Sequence, residues 1–183
     1  MSPSRTHIAI LKAWGIPRSL ALGALLSSAV VVLSGETLPL PFLDQAVVLT
    51  NLAPPVTALL LGHALTDSMQ KVNRVAQRSL PLIAGMRFAW LQIAALPVAI
   101  AMSSTVDPAL YATVPAFVAV SAVLVAALGQ WYWPPILVST YAWIRFSQGE
   151  SFHQTVDSSP VGLAALLLVS GLVYVGAASL RNR

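Results

Sequence analysis

The chain has no cysteine, and only six Asp and Glu residues among 183. Without cysteine there can be no disulfide, no thiol chemistry and no Cys-type zinc site. Charged residues make up 9% of the chain, against about 25% in soluble domains. That supply cannot cover a water-facing surface. Hydrophobic residues make up 57%, and mean hydropathy is +0.77, which points to a polytopic membrane protein. The net charge of +4 does not point to a nucleic-acid partner. Its placement matters more than its size.

Catalytic signatures are missing as well. No Gly-x-x-x-x-Gly-Lys-Ser/Thr loop is present, so the chain has no phosphate cradle for a nucleotide. There is no His-Glu-x-x-His, no Gly-x-Ser-x-Gly and no carboxylate pair spaced for acid–base work. His63 stands alone near the end of an apolar run, and a metal site needs three or four ligands. His7 and His153 are too distant in the chain to help. Asp44, Asp67, Asp107 and Asp157 all fall near the ends of apolar runs. A proton-coupled carrier would hold carboxylates within its spans. The expectation is a chain without catalytic residues, cofactor or metal of its own.

What the sequence does contain is apolar runs. Six come close to the roughly 17–25 residues that cross a bilayer: 19–35, 44–65, 80–102, 108–129, 132–147 and 161–180. The fifth is the shortest. None alternates with period two, so all are expected to be helices, with every backbone hydrogen bond satisfied internally. A kink or break is expected near Pro54-Pro55. Lys12 and Arg18 precede the first run as in a signal peptide. No small-x-small cleavage site follows, so the run reads as a retained span. The expected fold is a single all-α transmembrane domain over 1–183.

Charge then orients the spans. With both termini inside, Arg5, Lys12, Arg18, Lys71, Arg74, Arg78, Arg87, Arg181 and Arg183 lie on the cytoplasmic side, and Arg145 alone lies outside. This is a strong positive-inside distribution.

Residues 66–80 form the largest internal connection. At about 100° per residue, Met69, Val72, Val75, Ala76 and Leu80 share one side of a helix. Lys71, Arg74 and Arg78 cluster on the other, and Thr66 or Asp67 can cap its start. Such a helix either lies among anionic headgroups or docks on a cytoplasmic partner. Near the N-terminus, Ile10, Leu11 and Trp14 share a side away from Arg5 and Lys12, which describes a second, short interfacial helix.

This layout resembles that of the ABC-2-type permease family: an N-terminal elbow helix, six spans and an amphipathic helix between spans two and three. A very short turn around GQWYWPP follows span four, and an extracellular segment precedes span six. The stretch SMQKVNRVAQRSLPLIAGMRFAWLQ is similar to the pattern near the coupling helix of small bacterial members. The resemblance implies an exporter subunit in a bacterial inner membrane, with both termini cytoplasmic. It would move an amphipathic antibiotic, peptide or lipid. ATP and magnesium would sit on a separate cytoplasmic ATPase subunit, which would push on Asp67, Met69, Lys71, Val72, Arg74, Val75 and Arg78. A second permease copy or a related permease would complete the path.

Candidate path residues are Asn51, Pro54, Pro55, Trp131, Trp133 and Tyr141. Each also has a plainer role. Asn51, roughly mid-span in the second run, can bond backbone carbonyls freed by the prolines, and the aromatic residues can form interfacial belts. Arg87 is expected to snorkel toward cytoplasmic headgroups or to pair with an acid on the partner. Two other functional classes fit the same composition: a non-conducting scaffold of a membrane complex, and an ion-coupled carrier.

Overall fold

A computed structural model describes residues 16–39, 46–66, 80–147 and 160–180. Among these residues there are six α-helices. We label them α1 (Ile16–Val32), α2 (Ala53–His63), α3 (Leu80–Thr105), α4 (Thr113–Leu128), α5 (Trp133–Ser147) and α6 (Pro160–Leu180). The N-terminal elbow and the basic segment 67–79 lie outside the described residues.

Proline marks where these helices begin. Pro17, Pro54, Pro55, Pro81, Pro115, Pro134, Pro135 and Pro160 all stand in the first turn of their helices. The first-turn N–H groups have no intrahelical acceptor, so the missing donor costs nothing there, and the fixed φ suits the helix. The break expected near Pro54-Pro55 takes this form: the pair stands in the first turn of α2, and a 3₁₀ turn (Leu49–Leu52) precedes it. Pro97, in α3, is the one proline inside a described helix. It offers no N–H to the carbonyl of Ile93, one turn earlier.

Among the described residues, three stretches are long and apolar enough to cross a membrane: Pro81–Thr105, Leu110–Ser147 and Pro160–Leu180. The second holds 38 residues, about 57 Å if it were one straight helix. It is not straight. The ring centroids of Phe117 in α4 and Trp143 in α5 are 5.6 Å apart, so the chain doubles back between them. The turn is Gly129–Tyr132. Gly129 has φ 63° and ψ −121°, a conformation that a side chain would strain. Its N–H closes on the Val125 carbonyl.

The helix α1 is apolar but has 17 residues. The expected span 44–65 is not one helix. Its first part is a short strand and the 3₁₀ turn, and α2 has 11 residues, about 17 Å. Nor are the described residues wholly helical. Thr37 pairs with Val48, and Leu38 with Val47, in an antiparallel ladder that closes the α1–α2 connection.

Helices α3 and α4 occupy the middle of the bundle. α3 packs on α1, α4 and α6, whereas α4 packs on α2, α3 and α6. Their buried stripes follow helical spacing: Leu91, Ala94, Ala95, Val98 and Met102 on α3, and Val114, Val118, Ala122 and Val125 on α4. Small residues let the backbones approach without crossing polar groups. The closest approach is at Gly23 of α1, where a methyl group would collide with the carbonyl oxygen of Ala94.

The outside of the bundle is apolar. Val32, Val138, Val161, Leu168 and Leu172 are each at least two-thirds exposed. In water such a surface would aggregate; hydrocarbon solvates it.

Candidate functional site

Three arrangements of polar side chains stand out against this apolar background. The first gathers at the end of the bundle where α2 finishes and α3 begins. The last four carbonyls of a helix have no N–H of their own to accept, and in hydrocarbon each must find another donor. Arg87 Nη2 donates to the carbonyl of Ala64 at 2.9 Å. Tyr174 Oη of α6 donates to the Leu65 carbonyl at 3.5 Å, a long contact. Tyr132 Oη, at the α4–α5 turn, donates to the Leu59 carbonyl at 2.6 Å, and its ring lies over Gly62.

The Leu61, Gly62 and His63 carbonyls accept from the N–H groups of Ala64, Leu65 and Thr66, and the three side chains add bonds on either side, to Leu59 within α2 and to Ala64 and Leu65 just past it. Arg87 does not simply snorkel. Its positive head sits at the negative end of a helix, where it positions backbone that leads directly into 67–79. His63 is exposed in the last turn of α2, and its carbonyl accepts from the Thr66 N–H and Oγ1.

The second arrangement is at the opposite end. Asn51 is not at mid-span. It lies in the 3₁₀ turn before α2, where its carbonyl accepts from Trp143 Nε1 at 2.9 Å. Its amide Nδ2 donates to Ser147 Oγ at 3.3 Å. Both partners belong to the last two turns of α5. Asn51 thus fastens the outer helix α5 to the start of α2. This is a bracing role, unlike the expected bond to carbonyls freed by the prolines. Phe117 and Phe146 flank the Trp143 indole, so the N–H is held in a mainly apolar setting.

The third is a groove between α3, α4 and α6 with a volume of about 330 Å³, at the lower end of ligand-sized pockets. Its walls are almost wholly apolar, and Gln92 is the amide that contributes to them. Both Gln92 Oε1 and Nε2 are buried with no hydrogen-bond partner among the described residues. An unpaired amide in hydrocarbon costs several kcal/mol. A smaller apolar cavity of about 190 Å³ lies between α1 and the start of α2, with Thr50 in its wall. Thr50 Oγ1 is likewise buried with no partner among the described residues.

The expected path residues do not come together. Asn51, Pro54 and Pro55 stand at one end of the bundle. Trp131 and Trp133 stand at the other, at the α4–α5 turn, with stacked rings 6.3 Å apart. Trp131 is 69% exposed, Trp133 44% and Tyr141 53%. These aromatics face outward, the position of interfacial belt residues. The expected docking residues Asp67, Met69, Lys71, Val72, Arg74, Val75 and Arg78 lie outside the described residues.

Sequence reasoning passed over Gln92 as a buried amide, and Tyr132 and Tyr174 as polar anchors. Gln92 carried a legible signal, as the single amide in the 26 residues of α3. The tyrosines did not, because a tyrosine in an apolar run equally suits a belt, a core or a hydrogen bond.

Apolar exterior, helices long enough to cross a bilayer and polar groups bonded inward define a helical membrane protein. Comparison with protein-family models, with curated proteins and with solved structures gives no match in any of the three.

Proposed function

We propose that the chain is the six-span permease subunit of an ATP-driven exporter, moving an amphipathic small molecule, peptide or lipid. A separate cytoplasmic ATPase would supply the work. The observation that carries this reading is the bracing of the turn that follows α2. The carbonyls of Ala64 and Leu65 accept from Arg87 on α3 and Tyr174 on α6. These are the residues from which the basic segment 67–79 departs, and α3 begins where it ends. A push on 67–79 would move α2, α3 and α6 together rather than bend a loop. A segment that merely floats among headgroups needs no such anchorage.

In this reading both termini and residues 67–79 face the cytoplasm of a bacterial inner membrane. The helices α1, α2 and α5, shorter than a full span, would cross with the help of their flanking turns. A second copy or related permease would complete the path. Cargo selection would rest on apolar surface, because the described spans offer few ionisable groups.

Co-purification tests the reading directly. The chain, purified from its native membrane on an affinity column, should bring down a nucleotide-binding protein. Charge reversal at Arg74→Glu with Arg78→Glu should release it and uncouple ATP hydrolysis from transport. If no nucleotide-binding protein is retained and both reversals leave export unchanged, the docking role is refuted. A non-conducting scaffold would be left as the better reading.

A further inference from the structure

We propose that the groove between α3, α4 and α6 is a binding site for an amphiphile that carries a hydrogen-bonding group within its apolar body. The amide of Gln92 would read that group. The inference deepens the proposed exporter function by naming the class of molecule taken up from the bilayer.

Depth is the starting point. Gln92 stands twelve residues after Leu80 and thirteen before Thr105, about 18–20 Å from either end of α3 at 1.5 Å per residue. The hydrocarbon core is about 30 Å thick. Gln92 therefore lies near the bilayer midplane, where there is no water and no headgroup. An amide there should find a protein partner, and this one has none among the described residues. The next residue, Ile93, has a carbonyl that Pro97 cannot serve. The Gln92 amide and the Ile93 carbonyl therefore place polar capacity at one depth, in the apolar stretch of α3 between Arg87 and Ser103.

The surroundings determine what could use that capacity. Leu96 and Ile100, which follow Gln92 on the groove side of α3, are 48% and 63% exposed. Leu163 and Leu167 of α6 form the opposite wall, and Pro115 of α4 contributes to the lining. The groove therefore opens sideways toward lipid. Solute entering from water would have to cross an apolar wall; solute already dissolved in the bilayer would not.

The Gln92 amide lies behind the groove surface, and rotation of its side chain would bring it to an occupant. A glutamine side chain has three rotatable bonds and no tie here to break. An ordinary phospholipid cannot meet it, because its esters lie near the two faces and only methylene groups reach the midplane. The fitting ligand carries an amide or hydroxyl between two apolar arms. Such a group can donate to Oε1 or accept from Nε2.

Photolabelling of the purified full chain in phospholipid nanodiscs, without any ATPase, tests this. The probe is N-octyl octanamide with a diazirine on one arm. The control is heptadecane with the same diazirine, which has the same chain length and no amide. Labelled residues are read by mass spectrometry. The amide probe should label Leu96, Ile100, Leu163 and Leu167 about threefold to fivefold more than the alkane, the ratio expected from one membrane hydrogen bond. Gln92→Leu should abolish this preference and leave alkane labelling unchanged. Leu96→Trp should reduce labelling by both probes.

Equal labelling of the wild type by the two probes would overturn the proposal, as would a preference that survives Gln92→Leu. Should Gln92→Leu fail to fold, competition in the wild type decides. Unlabelled N-octyl octanamide must displace the amide probe at concentrations where heptadecane does not, and equal displacement refutes the site. Because no ATPase is present, failure of the docking reading would leave this result standing, and the reverse holds too.

Discussion

Replacing Arg87 by methionine tests whether the turn that follows α2 depends on a charged donor. Methionine keeps an unbranched apolar stem, so packing of the side-chain body is largely retained. What is lost is the guanidinium and its 2.9 Å bond to the Ala64 carbonyl. Hydrogen bonds to charged groups contribute about 1.5–3 kcal/mol, and a cation at a helix C-terminus adds about 0.3–1 kcal/mol. Desolvation works against these gains, because Arg87 is only partly exposed.

We expect a net loss of about 1.5–3 kcal/mol, roughly a tenfold to hundredfold fall in the folded-to-unfolded ratio. Arg87→Lys should fall between the two, since a point charge cannot reproduce a planar fork. Reversible unfolding in mixed micelles, followed by the far-ultraviolet helical signal, measures the difference. Protease sensitivity at 67–79 should rise in parallel if the turn is what the arginine holds. A Met variant as stable as the wild type, or more stable, would refute the reasoning. It would mean that the cost of burying the guanidinium exceeds everything its bond returns.

Three further outcomes follow from the same geometry. Gly23→Val should cost about 1–3 kcal/mol, as overpacking does, because its side chain would meet the Ala94 carbonyl. Spin labels on α1 and α3, simple to place in a chain without cysteine, should report a wider separation. Trp143→Phe keeps the ring contact with Phe117 but removes the bond to the Asn51 carbonyl. It should cost about 0.6–1 kcal/mol, and a double cycle with Asn51→Ala should leave the Nδ2–Ser147 contribution separable. Single cysteines at Glu36 and Asp107 should react with an impermeant maleimide from outside intact cells, and one at Arg74 only after permeabilisation. The opposite pattern would invert the proposed orientation.

How much of this was legible in the sequence depends on the kind of interaction. Helical boundaries were readable where apolar runs met polar punctuation. The run 132–147 corresponds to α5 (Trp133–Ser147), and 161–180 to α6 (Pro160–Leu180). Run 44–65 failed, because hydropathy does not distinguish an apolar strand and 3₁₀ turn from the first half of a helix. Pro54-Pro55 signalled an interruption without saying of which kind. A proline pair is equally compatible with an interrupted helix and a starting one, and only the backbone before it settles which. Asn51 was placed at mid-span by counting residues, whereas the Val47–Val48 strand and the following turn put it at the end.

Composition by itself determined the solvent. With 57% hydrophobic and 9% charged residues, no arrangement of this chain could present a polar surface, so its exterior had to suit hydrocarbon. Local sequence likewise fixed helices and their proline-marked starts, because those depend on neighbours within a turn or two. Which polar groups meet was decided only by the tertiary fold. Arg87 reaches Ala64 across 23 positions, Tyr132 reaches Leu59 across 73 and Tyr174 reaches Leu65 across 109. The isolation of Gln92 is equally a property of packing. A hydrogen bond requires two groups within about 3 Å, and no periodicity along a chain specifies a distance between helices.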